Sequence, residues 1–229
     1  MIEAAYVIKN AYSNFPRGSI HIVDIDSEQT PDQSHIVIEM DEHFFICADN
    51  GIISLISSTI KPSKIFKINI GLHSANTINN FVKVAAHLQR GGQLNVIGTE
   101  IFKIKELTEL KPIIKSNNEL ICNVIYIDNY GNVITNITKD FFEKFQANRS
   151  FVINARNIKF KQIFSSYSES INFNKEKKYR EEDGKKVALF NSSDFLELSI
   201  YKSNPKTSGG ASSLFGLGYG DVISILFND

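Results

Sequence analysis

One stretch of the chain decides how the rest of the sequence is interpreted: Ile127-Asp-Asn-Tyr-Gly-Asn-Val-Ile-Thr-Asn-Ile137. A strand over residues 124–126 is expected to end at Asp128, turn through residues 129–132 and resume as a second strand. Gly131 suits the turn because it has no Cβ to forbid positive φ, and asparagine tolerates such values too. The stretch predicts a carboxylate, a phenol and a carboxamide at one strand end, although such a pattern is also typical of an ordinary turn.

Composition indicates a soluble, cytoplasmic globular protein. The chain has 229 residues, which suffices for one large or two modest domains with a sizeable core. Its 25 basic residues balance 25 acidic ones, so neither nucleic acid nor a membrane surface is an expected partner. Cys47 and Cys122 are too few for a disulfide framework, and reduced thiols are expected. The sequence lacks a basic N-terminal signal region and any apolar run of the roughly 18 residues that span a bilayer.

Hydrophobic periodicity changes part-way along the chain. The first half alternates strands with helices, which predicts an α/β layered domain over residues 1–115. The second half has short β-rich runs and a single helical pattern, which predicts a smaller C-terminal β-barrel domain over residues 118–229. The expected helices cover residues 2–14, 77–90 and 139–147, and the expected strands cover residues 20–25, 36–40, 44–47, 66–70, 151–153, 187–190, 195–200 and 222–226.

Four stretches follow the order of the motifs of one known family. Residues 127–137 resemble its "IDxFGNxxTNI" signature, and residues 4–21 resemble its helix leading into "FPxGTVH". Residues 48–53 resemble its "PDNGLL", and residues 191–198 resemble its "NSSGYLEIA". The sequence thereby resembles the SAM hydroxide adenosyltransferase family, whose relatives include the SAM-dependent chlorinases and fluorinases.

The resemblance implies a fold, an activity and an assembly. Family members join an α/β domain to a following smaller β-barrel domain, which agrees with the periodicity. The hydrolases of the family attack C5′ of the ribose of S-adenosyl-L-methionine (SAM) with water or hydroxide, and they release adenosine and methionine. SAM is therefore the expected substrate or ligand, with no cofactor and no metal. The resemblance also implies a homotrimer whose sites lie between the α/β domain of one subunit and the β domain of the next.

The catalytic set of the family is Asp, Arg and His, from "DPGVGxxR" and "FHGRD", and most of it is replaced here. Counted without gaps, Asp26 takes the place of the catalytic Asp and Gln33 takes that of the Arg. Asn76 takes the place of the His. A carboxamide neither accepts a proton usefully nor carries one as imidazolium does. Asp26 is therefore the catalytic candidate, and His35 or His73 is a candidate to compensate for the lost imidazole.

The binding half of the implied site is better kept. By resemblance, Asp128 and Ser192 hold the methionine amino and carboxylate groups, and Ser193 adds a contact to the same moiety. Asp194 stands where the family motif has Gly, which changes the charge or the turn at that point.

The adenine end is implied by the same resemblance. Asn132 hydrogen-bonds the adenine edge, Tyr130 lines the pocket, and Tyr167 takes about the place of an aromatic residue that stacks on the purine. Each of these residues also has a simpler interpretation as a turn or cap residue.

Three hypotheses follow: a SAM hydrolase, a protein that binds SAM or adenosine without turnover, and a non-functional fragment. Gln33 and Asn76 favour the second over the first, whereas Asp128, Asn132 and Ser192 oppose the third. The family's opening "TDFGxxDxY" segment has no counterpart before Met1. Either the sheet lacks its first strands and has an unpaired edge, or the start codon is misplaced. A halogenase is disfavoured because the sequence shows no sign of a halide pocket.

Overall fold

The computed structural model describes residues 1–57, 60–70, 76–182 and 184–228, and the chain divides into two compact units, Met1–Glu109 and Leu110–Asp229. The first unit is mixed α/β and the second is mostly β, so the predicted fold class is confirmed. The relative sizes differ from the prediction, since the β unit is the longer of the two.

The first unit is a five-stranded sheet with helices on both faces. Its strand order is β1-β3-β2-β4-β5. β1 pairs in parallel with β3, and the remaining pairs are antiparallel. β1 is an edge strand, and no strand of the described ranges lies beyond it. The elements are α1 (Ile2–Ala11), β1 (Ile20–Val23), β2 (His35–Met40), β3 (His43–Ala48), α2 (Ile52–Ile56), β4 (Lys64–Ile68), α3 (Thr77–Gln89), α4 (Leu94–Ile97) and β5 (Gly98–Glu100).

The alternation of side chains along β2 explains the layers of this unit. Ile36 and Ile38 are buried in the cluster that contains α1 and α2, whereas Val37 is buried with Phe81 of α3 on the other side. Successive residues of a strand point to opposite faces, so a strand covered by helices on both faces is apolar throughout. Phe81 is fully buried, so α3 is fixed to the sheet by this side chain.

The second unit is a nearly closed β-barrel. Its strand order is β10-β9-β13-β7-β8-β12-β11, and β6 pairs with β7 beside this path. An isolated bridge joins Phe164, in the segment after β10, to Leu189 of the other end strand, β11. The elements are β6 (Ile113–Ser116), β7 (Glu119–Ile127), β8 (Val133–Thr138), α5 (Lys139–Gln146), β9 (Ser150–Ala155), β10 (Ile158–Phe160), β11 (Lys186–Phe190), β12 (Phe195–Ile200), α6 (Ala211–Phe215) and β13 (Val222–Asn228).

Several short elements of the barrel differ from the sequence-based expectation. β7 starts at Glu119 rather than at residue 124. β6 was assigned mostly to the first domain, but it pairs with β7 of the second unit. β10 and α6 have only three and five residues, which is too short for a period to be recognised.

Two further observations concern the chain as a whole. Within the described ranges, no helix combines the length and the apolar character that a membrane crossing requires. Cys47 and Cys122 are free and buried. Burial raises the pKa of the Cys122 thiol to about 12, so this thiol is not reactive at neutral pH.

Phe142 of α5 closes the barrel core, and its truncation tests this packing. Its ring contacts those of Phe151, Phe190 and Phe227 at centroid distances of 5.1, 5.6 and 5.7 Å. We expect Phe142→Ala to lower the free energy of unfolding by about 3–5 kcal/mol, because it removes a buried ring and leaves a cavity. Phe102→Ala is the control, since Phe102 is 87% exposed and its loss should change stability by less than about 0.5 kcal/mol. Urea denaturation measures both, and equal losses would contradict the assigned core.

Candidate functional site

The catalytic candidate Asp26 lies in a loop whose backbone is held by side chains. We call residues 24–28 the Asp26 loop. Asp26 has φ +45°, in the left-handed region that residues other than Gly rarely adopt. The amide of Asn50 donates to the carbonyls of Ile25 at 2.8 Å and of Asp26 at 3.2 Å. The amide of Gln33 donates to the Asp26 carbonyl at 2.7 Å and to that of Glu28 at 3.0 Å. Two carboxamides thus fix an uncommon backbone conformation, while the Asp26 residue itself is exposed.

Ser27 holds the same loop through its carbonyl and hydroxyl groups. His35 Nε2 lies 2.8 Å from the Ser27 carbonyl oxygen, and the Thr77 hydroxyl donates to that oxygen at 3.4 Å. The Ser27 hydroxyl donates to the Asp24 carboxylate. Thr77 is the first residue of α3, so the loop is held against the start of that helix.

The residues at the implied Arg and His positions therefore have observable structural roles. Gln33 holds the Asp26 loop, and Asn76 caps α3, since its side-chain oxygen accepts from the Asn79 N–H at 3.1 Å. His35 is only 3% exposed and its ring packs edge-on against Phe81. A buried ring in this position supports the loop rather than meeting a substrate. His73 lies outside the described residues.

In the second unit, Asp128 organises the turn between β7 and β8, and we call residues 127–132 the Asp128 turn. Its Oδ1 accepts from the backbone N–H groups of Tyr130 at 2.8 Å and Asn132 at 2.9 Å, and its Oδ2 accepts from the Asn132 side-chain amide at 2.9 Å. Asp128 therefore has the role of a turn residue, which was the simpler interpretation of this position. A carboxylate has about four acceptor positions, so these three bonds do not exhaust it.

Close backbone contact fixes the Asp128 turn against the start of α6. Gly131 has φ +75°, and a Cβ on it would lie 2.9 Å from the Gly210 Cα. The Ser212 N–H donates to the Gly131 carbonyl at 2.8 Å. The two glycines permit this approach, in which Tyr130 is 69% exposed and Asn132 is buried.

Tyr167 is held by a buried carboxylate. Its hydroxyl donates to Glu197 Oε1 at 2.5 Å, and the Ser199 hydroxyl donates to the same oxygen at 2.5 Å. Glu197 is 3% exposed, whereas Tyr167 is 41% exposed. Burial raises the pKa of the Tyr167 phenol, and the negative charges of Glu197 and, more weakly, Asp128 raise it further.

Ser192 and Ser193 lie elsewhere in the β unit. They belong to the turn between β11 and β12, where the Asn191 side-chain oxygen accepts from the Ser193 N–H at 3.0 Å. Asp194 adopts φ +59°, so it preserves the left-handed turn that the family's Gly would favour.

The strand register separates these serines from Asp128. Phe195 pairs with Thr138 and Leu198 pairs with Val133, so the two turns lie at opposite ends of the β8–β12 pair. The separation along the strands is roughly 16–20 Å at about 3.3 Å per residue. Within this unit Asp128 and Ser192 are therefore not brought together. A groove of about 510 Å³ lies instead beside the serine turn, with Ser165 and Asp194 among its lining residues.

Asn50 and Glu197 lie inside the motif-like stretches, but their structural roles are not predicted by the sequence. Buried polar side chains need hydrogen-bond partners, but which partners they find is decided by tertiary contacts. Among the described residues, no group of three or more His, Cys, Asp or Glu side chains gathers as a metal site would require.

Comparison with known proteins identifies the family. The model of the SAM hydroxide adenosyltransferase N-terminal domain matches residues 1–98, and that of the C-terminal domain matches residues 122–224. The chain belongs to the SAM hydroxide adenosyltransferase family. This SAM hydroxide adenosyltransferase family member is 28% identical to the (R)-S-adenosyl-L-methionine hydrolase of Methanocaldococcus jannaschii, over 98% of this chain and 78% of the relative.

Solved structures share the fold of this family member. A crystal structure of an uncharacterized conserved protein from Thermotoga maritima matches with a TM-score of 0.77 and 22% identity, over 98% of this chain and 83% of that one. A conserved hypothetical protein from Thermus thermophilus matches with a TM-score of 0.68 and 18% identity, over 100% of this chain and 82% of that one. At these identities the likeness concerns the fold.

The Tyr167–Glu197 hydrogen bond is testable by titration. Glu197→Gln removes a negative charge, so we expect the pKa of the Tyr167 phenol to fall toward 10.0 but to stay above it, because burial is the largest cause. Ultraviolet absorbance of tyrosinate measures this, and Tyr167→Phe identifies the component that belongs to Tyr167. Glu143→Gln, an exposed change in the same unit, is the control.

The same shift has a consequence for stability. The folded-state pKa of Tyr167 lies above the ordinary value of 10.0. The protonated phenol therefore contributes fully to the free energy of unfolding below about pH 10, and this contribution is lost as the pH rises through the folded-state pKa. Identical alkaline titrations of the wild type and Glu197→Gln would show that the hydrogen bond does not form.

Proposed function

We propose that this family member is a SAM hydrolase that converts SAM and water to adenosine and L-methionine. The observation that carries the proposal is the Asp26 loop. An exposed carboxylate is presented from a left-handed backbone position that two side-chain amides hold in place. Sparsely populated backbone conformations that surrounding side chains enforce are concentrated at functional sites. The hydrolase named among the relatives supports the same reaction.

In the proposed reaction the protein does not need to activate a leaving group, because the sulfonium of SAM already carries one. A water oxygen forms a bond to C5′ of the ribose while the C5′–S bond breaks. The electron pair of the broken bond stays on sulfur, which becomes the neutral thioether of methionine. The water loses a proton, which Asp26 accepts and passes to solvent. Orientation and desolvation of the water supply the remaining acceleration.

The β unit supplies the proposed binding groups. Asp128 carries a negative charge suited to the methionine ammonium or to the sulfonium, and Asn132 presents a carboxamide suited to the adenine edge. Tyr130 and Tyr167 offer partly exposed rings for contact with the purine. Ser192 and Ser193 remain proposed contacts to the methionine carboxylate, although the β8–β12 register separates them from Asp128.

A second candidate is a protein that binds SAM or adenosine without turnover. Gln33 and Asn76 favour it, because both carboxamides serve as loop and helix supports where the resemblance places Arg and His. The two candidates differ in one result. A hydrolase releases adenosine from SAM, whereas a binding protein retains SAM intact.

Asp26→Asn separates catalysis from binding. We expect it to lower the rate of adenosine release by about 10²–10⁴-fold, because it removes the general base. The affinity for adenosine, measured by calorimetry, should change by less than about twofold. Glu28→Gln is the matched control, since it removes another exposed carboxylate from the same loop.

Chromatography measures the release of adenosine. Each sulfonium epimer of SAM is tested, because the named relative is an (R)-S-adenosyl-L-methionine hydrolase. Adenosine release that is unaffected by Asp26→Asn would remove Asp26 from the mechanism. Binding without release would establish the second candidate. Unchanged affinity in Asp128→Ala and Asn132→Ala would contradict the proposed binding groups.

The assembly is also a proposal. The family resemblance implies a homotrimer built from repeated heterologous contacts. Light scattering should therefore give three times the chain mass of 25.8 kDa, and a monomeric mass would contradict the trimer.

A further inference from the structure

The barrel of the second unit has one open seam, and lysines line it. The path of hydrogen-bonded strands ends at β10 on one side and β11 on the other. Between these ends the described residues show the single Phe164–Leu189 bridge, with the Phe164 N–H donating to the Ala188 carbonyl at 2.8 Å. The two edges thus meet without a continuous ladder and leave polar backbone groups at a groove of about 660 Å³.

Four lysines line this groove, which we call the lysine seam: Lys159, Lys161, Lys185 and Lys186. Lys159 and Lys161 are two residues apart, so an extended backbone directs both side chains to one side. Lys186 enters from β11, and its Nζ lies 5.6 Å from the centre of the Phe160 ring of β10. The seam is therefore positively charged from both edges.

The described residues show no ion pair for the lysines of the seam, unlike several other lysines of the unit. Among the described residues, none of its four ammonium groups has a carboxylate within ion-pair distance. Lys144, by contrast, pairs with Asp140 at 2.7 Å, and Lys202 pairs with Glu182 at 3.3 Å. Glu181 is the acidic residue that the described part of the chain contributes to the groove wall.

Four lysines against one glutamate in the described wall favour an anionic ligand. A bound polyanion can accept charge-assisted hydrogen bonds from several ammonium groups at once. The chain has 25 basic and 25 acidic residues, so the positive field is local to the seam and not a property of the whole surface. The side-chain amide of Gln162 adds a neutral donor to the same wall.

We propose that the lysine seam is a binding site for an oligophosphate, a ligand with two or more linked phosphate groups. A groove of about 660 Å³ has the size of a small-molecule site. The ligand is distinct from those of the proposed reaction, because SAM carries a sulfonium cation and adenosine is neutral. Neither molecule carries a net negative charge, so neither is the polyanion that four lysines favour. The proposed ligand is thus different from those of the SAM chemistry, and Lys161 and Gln162 also line the groove beside the serine turn.

Calorimetry with inorganic tripolyphosphate tests the site on the full chain. We expect measurable binding that weakens as salt rises, since screening reduces each ammonium–phosphate interaction. The double variant Lys161→Ala/Lys186→Ala should weaken binding by at least about tenfold. The matched control Lys144→Ala/Lys178→Ala removes the same charge from ion-paired positions of the same unit and should change affinity by less than about twofold.

A charge-conserving variant and a second ligand make the test specific. Lys161→Arg/Lys186→Arg retains the charge and should retain binding, which separates charge loss from misfolding. ATP binding tighter than tripolyphosphate would assign a nucleotide as the ligand, and equal affinities would assign the phosphate chain alone. Absence of tripolyphosphate binding, or equal losses in the seam and control variants, would overturn the proposal.

Discussion

The three hydrogen bonds accepted by the Asp128 carboxylate are the interaction on which the β unit's candidate site depends. They close the turn between β7 and β8 around Gly131, whose backbone then approaches Gly210 more closely than any residue with a Cβ would allow. That contact docks the start of α6 on the turn through the Ser212 N–H. In this arrangement Tyr130 is exposed and Asn132 is buried. A single carboxylate therefore has a structural role and a candidate binding role at once.

Side-chain carboxamides perform the corresponding task in the first unit. Asn50 and Gln33 both donate to the Asp26 carbonyl, and together they hold a backbone conformation that the residue does not favour by itself. This arrangement gives Gln33 a physical role at the position where the resemblance implies Arg. Asn76, where the resemblance implies His, has one too, because it caps α3.

Agreement between sequence and structure was best where a period repeats over several residues. The α3 pattern predicted a helix within a residue of its observed end, and β12 was predicted with its observed bounds. Short elements were missed, because β6, β10 and α6 do not contain enough residues to display a period. At the site, the motif-like stretches located Asp128, Tyr130 and Asn132 at one turn. They did not reveal that Ser192 and Ser193 lie at the far end of β12 from that turn, since register between strands is a non-local property.

The sequence by itself determined the family, the order of an α/β unit and a β unit, and the turn at Gly131. These depend on local periodicity, on motif order and on the conformational freedom of glycine, all of which can be read along the chain. Tertiary structure alone decided that Glu197 is buried and holds Tyr167, that Asn50 reaches the Asp26 loop, and that the barrel leaves its seam between β10 and β11. Each of these joins residues that are distant in sequence. A buried polar group must find a partner, but only the folded chain determines which partner is within reach.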